Sequence, residues 1–205
     1  MGDRAVKRGE TVILAAGDFP RRGGEAWRLL VGARRVVCCD SAGDACRRRL
    51  KKEPTVVTGD GDSVRGRFAA FVRDSDQDTN DLEKAIAYCA KRGWKRPVIV
   101  GATGKREDHT IGNVFRALAA GLEIVTDRGR FVPVNGRAVL RVRKGAAVSV
   151  FAPDPRTRMT STGLQWPLAG VTFDTLYRAT LNRATASRIC LTSTHPVYAF
   201  IGFAS

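Results

Sequence analysis

The apolar pattern of this chain changes period once, near residue 128, so two differently built halves follow each other. In the first half, short apolar runs at 11–16, 35–39, 54–58 and 97–101 read as strands. Leu82, Ala85, Ile86 and Cys89, between the last two runs, recur at the spacing of one helix face. Ile111, Val114, Phe115 and Leu118 repeat that stripe after the fourth run. Strands apolar on both faces and alternating with helices predict an α/β fold with a parallel sheet. In the second half the stripes stop. Segments 138–143, 147–152 and 187–192 look like short strands, punctuated by Gly145, Pro153, Gly163, Pro167 and Pro196. That half is predicted to be an antiparallel β-sandwich without helices. The join falls near Asp127–Pro133 and divides the chain into domains 1–128 and 129–205.

At 205 residues the chain is long enough to bury a core without staples. No apolar run approaches the roughly 18–20 residues of a membrane helix, so no membrane partner is expected. The first ten residues lack the apolar stretch of a secretory leader. Five cysteines at irregular spacing make neither a disulfide framework nor a zinc pattern. A reducing, cytoplasmic compartment is therefore expected. Lys and Arg number 35 against 20 Asp and Glu, a net charge of +15. Such an excess suits nucleic acid, or a nucleotide, or simply a solvated basic surface. The acids are unevenly placed. Residues 1–128 hold 18 of the 20, whereas 129–205 hold only Asp154 and Asp174 and keep a net of +8.

Segment 58–83 reverses the charge, with seven acids against three arginines. Clustered carboxylates repel one another unless a cation or proton intervenes. Asp60 and Asp62 follow the third strand, where open α/β sheets bind ligands. All-oxygen donors with little else suit Mg²⁺, and an Asp-Gly turn is the bland alternative. Asp78 and Asp81 begin the first helical stripe; as N-cap and third residue they would complement the helix dipole. The loop 101–113 runs from a strand into a helix, with glycines ahead of Lys105 and Arg106, a pattern suited to an anion. It is neither a Walker A motif nor a GxGxxG fingerprint, which disfavours P-loop enzymes and Rossmann dehydrogenases. Asp108 and His109 could equally cap that helix. Trp166, in the turn-rich segment 162–168, is either a core residue or an exposed ring able to stack on a flat ligand.

In this order, the segments 39–44, 59–64, 76–85, 101–109 and 162–168 resemble thiamine pyrophosphokinases, and the resemblance spans about 13–200. It implies transfer of the pyrophosphoryl group of ATP to the hydroxyl of thiamine, giving thiamine diphosphate and AMP. It implies Mg²⁺, an α/β catalytic domain followed by a thiamine-binding sandwich, and a homodimer that shares its site between chains. By matching motif, Asp60, Asp62 and Asp81 resemble the metal-binding and catalytic carboxylates. Asp40, Lys105, Arg106 and Asp108 fall at nucleotide-binding positions. Gln77, Thr162, Trp166 and Asn182 fall at thiamine-binding positions, with Trp166 matching the ring that stacks on the pyrimidine. Any of the carboxylates, Asp81 among them, could accept the hydroxyl proton. Two departures stand out: Ser41-Ala42-Gly43 replaces the family's Gly-Gly-Ala, and Leu181 replaces a serine beside Asn182, which removes a hydroxyl from the expected thiamine wall. Two other readings use parts of the same chain. A nucleic-acid-binding protein accounts for the net charge but not for its reversal, and no aromatic RNA-binding signature is present, so nucleic acid is disfavoured as a partner. A Mg²⁺-dependent phosphohydrolase would turn the same carboxylates on water.

Overall fold

The structure is a computed structural model and describes residues 8–76 and 78–203. Its contacts separate into two compact units that meet after Asp127. The first unit alternates strands and helices: β1 (Thr11–Leu14), α1 (Glu25–Gly32), β2 (Arg35–Cys39), α2 (Ala42–Leu50), β3 (Val56–Gly59), β4 (Phe71–Arg73), α3 (Asp81–Lys91), β5 (Val98–Val100), α4 (Glu107–Ala119) and β6 (Ile124–Val125). Every strand pair in it is parallel, in the order β6-β5-β1-β2-β3-β4. β1, β3 and β5 are buried along their whole length, because helices cover both faces of such a sheet. The chain winds from β1 outward to β4, then returns to the other side of β1 as β5. That reversal opens a crevice at the carboxyl ends of β1 and β5.

Leu82, Ala85 and Cys89 of α3 are buried, as their spacing predicts. Ile111 departs from the pattern: it is 60% exposed, and α4 packs inward through Ala117 and Leu118 instead. The start of α3 corrects a second expectation. Asn80, not Asp78, is the N-cap, and Glu83, not Asp81, is the third residue. Asn80 Oδ1 accepts the Glu83 N–H at 3.0 Å, and Glu83 Oε2 accepts the Asn80 N–H at 3.0 Å. This capping box satisfies two otherwise unpaired donors and leaves Asp81 free of capping. Asn80→Ala should cost about 1 kcal/mol of unfolding free energy, read as a shifted urea midpoint at constant slope. An unchanged midpoint would show that α3 does not depend on its cap.

The second unit contains β7 (Gly129–Arg141), β8 (Ala147–Phe151), β9 (Met159–Thr162), β10 (Ala179–Arg183) and β11 (Arg188–Gly202). All its pairings are antiparallel. β11 pairs with β7 along nearly all of both strands, and a register shift between Ser193 and Val197 divides the ladder. Beyond that shift β11 also pairs with β8, and before it with β9. One long two-stranded ribbon thus serves two sheet layers, bending at an irregularity that absorbs Pro196. Val134, Val148, Val150, Ile189, Leu191 and Ile201 fill the core between the layers. The sequence pattern shows only parts of β7 and β11, because Pro133, Gly136 and Pro196 interrupt what is one continuous ribbon.

Candidate active site

Strands β2 and β3 end side by side, and the residues that follow them open the site. Asp40 adopts a φ of +39°, in the left-handed region that Asp tolerates better than most residues. Its N–H donates to the Thr58 carbonyl at 2.8 Å. Its side chain is turned inward: Asp40 is 4% exposed, and its buried Oδ1 has no hydrogen-bond partner. Gly59 makes room for this. A β-carbon there would lie 3.2 Å from Asp40 Oδ1 and 3.2 Å from Asp81 Oδ1. Two carboxylates, one from β2 and one from the first turn of α3, therefore converge on one glycine. Burial first, and then the charge of Asp40, raise the Asp81 carboxyl above its usual value; Asp60 adds to the rise and Lys84 opposes it. Lys84 is itself buried and donates to the Asp74 carbonyl at 2.9 Å.

Asp60 is half-buried, and its Oδ1 accepts the Asp62 N–H at 3.1 Å. The Asp-Gly turn, the alternative reading of 59–62, is thus present, with the Asp62 side chain at the surface. Among the described residues, no three His, Cys, Asp or Glu side chains enclose a point where an ion could sit. Asp60, Asp62 and Asp81 do not form a closed trio; the convergence is between Asp81 and Asp40. That donor set fits Mg²⁺, which is usually held by one or two carboxylates and completed by substrate phosphates and water. An orphaned buried carboxylate oxygen is what such an ion would satisfy. Gln77 lies outside the described residues.

The glycine-rich loop after β5 packs on the segment that follows β1. Gly17 N–H donates to the Gly101 carbonyl at 2.7 Å, and Asp18 N–H to the Thr103 carbonyl at 2.8 Å. Lys105 donates to the Ala16 carbonyl at 2.6 Å. Arg106 grips the Asp108 carboxylate with two N–H groups, at 3.1 and 2.6 Å. That fork, helped by the His109 N–H, holds the Asp108 carboxyl down to about 2. Asp108 thus takes one free donor of α4, while His109 is exposed. Asn80 Nδ2 donates to Asn113 Oδ1 at 3.3 Å, and Asn113 Nδ2 to the Ala102 carbonyl at 3.0 Å. This relay ties the start of α3 to the glycine loop. Asn113 ends the loop singled out in the sequence, but no spacing there shows its relay to Asn80, nor the part played by residues 15–18, because each acts through a contact distant in the chain.

In the second unit, Asn182 is buried and holds the backbone of Trp166 from both sides. Its Oδ1 accepts the Trp166 N–H at 3.2 Å, and its Nδ2 donates to the Trp166 carbonyl at 2.6 Å. The Trp166 ring is 55% exposed, because Leu164 and Leu168 take the core positions on either side of it. The core alternative for Trp166 is thereby excluded. Leu181 is 85% exposed and has a φ of +62° at an irregularity in the β10–β8 pairing. Thr162 is exposed at the end of β9, four residues from Trp166 and without a hydrogen bond to it.

Two family models match the chain in order: "Thiamin pyrophosphokinase, catalytic domain" over residues 26–125, and "Thiamin pyrophosphokinase, substrate-binding domain" over 129–200. Similar solved structures include thiamin pyrophosphokinase from Geobacillus thermodenitrificans, with a TM-score of 0.74 and 20% identity over 95% of this chain and 97% of that one. Thiamin pyrophosphokinase from Candida albicans gives a TM-score of 0.75 and 12% identity over 96% and 90%. A thiamin pyrophosphokinase family protein from Enterococcus faecalis gives 0.76 and 12% over 97% and 100%. At these identities the structures speak for the fold. No curated protein matches the chain.

Proposed function

This chain belongs to the thiamin pyrophosphokinase family, and we propose that the carboxylates around Gly59 and the glycine loop of its first unit carry the family's chemistry. The reaction transfers the pyrophosphoryl group of ATP to the hydroxyl of thiamine and releases AMP. The observation that carries the proposal is the unpartnered Oδ1 of Asp40 converging with Asp81 on Gly59. Asp40 and Asp81, with Asp60 near them, would hold Mg²⁺, and Asp62 keeps its proposed part from the family motif. Bound there, the ion would offset charge on the phosphates of ATP during transfer.

The chain's own groups supply the rest. Positioning and charge neutralisation provide most of the acceleration in phosphoryl-type transfers. Lys105 and Arg106, on a loop fixed against residues 15–18, bring positive charge to the triphosphate. A carboxylate of this group left off the ion, Asp81 among them, would accept the proton of the thiamine hydroxyl. In the second unit, the exposed Trp166 ring offers an aromatic face to the flat, cationic substrate. Thr162 and Asn182 complete that proposal, with Asn182 acting by fixing Trp166 rather than through a free amide. Gln77 keeps its proposed thiamine contact from the family motif alone.

A homodimer is part of the same reading. Trp166, Tyr177 and Leu181 are large apolar side chains left exposed on the single chain, as surfaces awaiting a substrate or second chain are. The five cysteines are free, which suits a reducing cytoplasm, and no helix among the described residues is long and apolar enough to cross a membrane. The direct test measures AMP release with ATP, Mg²⁺ and thiamine. AMP should appear only when all three are present, in step with thiamine diphosphate. Thiamine-independent release would instead mark a phosphohydrolase.

A further inference from the structure

The second unit carries a cationic sheet face that pyrophosphoryl transfer does not use. In the β7–β11 ladder, Arg141 stands directly opposite Arg188, and Arg137 lies two rows away opposite Thr192. Residues alternate faces along a strand, so Leu140 and Ile189 enter the core while Arg137, Arg141 and Arg188 share the outer face. Arg143, exposed just past the end of β7, adds a cation beyond Val142, which packs on the core. Arg130 adds a further cation, donating to the Arg141 carbonyl at 2.8 Å.

Like charges directly opposite in a ladder destabilise it. Among the described residues no ion pair offsets them. The acidic side chains of 129–205 are Asp154 and Asp174, and they pair with Arg156 and Arg178. Among the described residues, the side chains of Arg137, Arg141, Arg143 and Arg188 have neither an ion pair nor a hydrogen bond. The row between the arginines holds Val139 and Cys190. It has no ring on which a base could stack, and its exposed Val139 is a short side chain for anchoring to a lipid surface. From Arg137 to Arg141 the row runs about 13 Å at the rise of an extended strand. That is a row of exposed guanidinium groups, the group best matched to phosphate oxygens. Thr162 borders the face from β9, and none of the arginines belongs to the site proposed above.

We infer that this face binds a linear inorganic polyphosphate, a chain of phosphates without bases. The test measures binding of labelled polyphosphate across a NaCl series in the presence of EDTA, so that Mg²⁺-dependent phosphate binding at the catalytic site does not contribute. Four arginines neutralising four phosphates should give a log–log slope near −3, on the scale of roughly −0.7 per contact for single strands. A fourfold rise in salt would then weaken binding about fifty-fold. The variant Arg137→Gln/Arg141→Gln/Arg143→Gln/Arg188→Gln should lose about that slope with an unchanged circular dichroism spectrum. Replacing Arg48, Lys51 and Arg65, which line a basic groove of the first unit, should not. The inference is overturned if the fourfold variant keeps its slope, or if the groove variant loses as much. It is also overturned if single-stranded RNA displaces polyphosphate at equal phosphate concentration, or if phosphatidylserine vesicles bind the face and polyphosphate does not.

Discussion

Asp40→Asn should make the chain more stable and nearly inactive at the same time. The substitution keeps shape and volume, and Asn tolerates the φ of +39° at this position. It removes one of two carboxylates that converge on Gly59, one of whose oxygens is buried without a partner. Relief of that repulsion should raise unfolding free energy by about 1–2 kcal/mol in the absence of Mg²⁺ and nucleotide. Loss of a carboxylate that would hold Mg²⁺ should lower kcat/KM roughly 10²–10³-fold.

The pH dependence separates this from a general packing effect. The Asp81 carboxyl is raised in the folded chain, so the fold binds its proton more tightly than the unfolded chain does. The stability this contributes is fully present below the usual carboxylate value. It is lost as pH rises through the raised value. The wild-type protein without ligands should therefore lose stability across that window, and Asp40→Asn should lose less, since Asp40 is the main charge acting on Asp81. Thermal melts at stepped pH, with and without Mg²⁺ and ATP, measure both. Wild-type turnover in Asp40→Asn, or a fall in its stability, would remove the carboxylate pair from the site.

Trp166→Ala should raise KM for thiamine by about tenfold or more, with little change in KM for ATP. A cation–π contact in a partly desolvated site contributes on the order of 1–2 kcal/mol. Stability should move by less than about 0.5 kcal/mol, because the ring is 55% exposed and Asn182 holds the backbone instead. Asn182→Ala is the contrasting case. It strands the Trp166 carbonyl and N–H, so it should cost about 2 kcal/mol of stability as well as thiamine affinity. If Trp166→Ala unfolds the chain while KM for thiamine stays unchanged, the ring is structural and the proposed stacking role fails.

Much of the site could be read along the chain because its parts are local. The Asp-Gly repeat at 59–62, the acids around 81 and the glycines before Lys105 are each continuous segments. The cap of α3 is not legible in the sequence, because Asp78 and Asn80 are both good caps. The choice turned on which of them had Glu three places on. Trp166 could not be assigned inside or outside from its own neighbourhood. The answer depended on Leu164 and Leu168 occupying the core beside it.

The sequence by itself determined the parallel α/β half, the antiparallel half and the order of the motifs. Hydrophobic period and turn residues act over a few positions, and a single chain displays them in full. Only the tertiary structure decided which carboxylates meet. Asp40 and Asp81 are 41 positions apart, and they converge because β2 and β3 are parallel neighbours and Gly59 has no side chain to separate them. The same holds for the cationic face. Arg141 and Arg188 oppose each other through antiparallel register, a property of pairing between strands that no stretch of either strand contains.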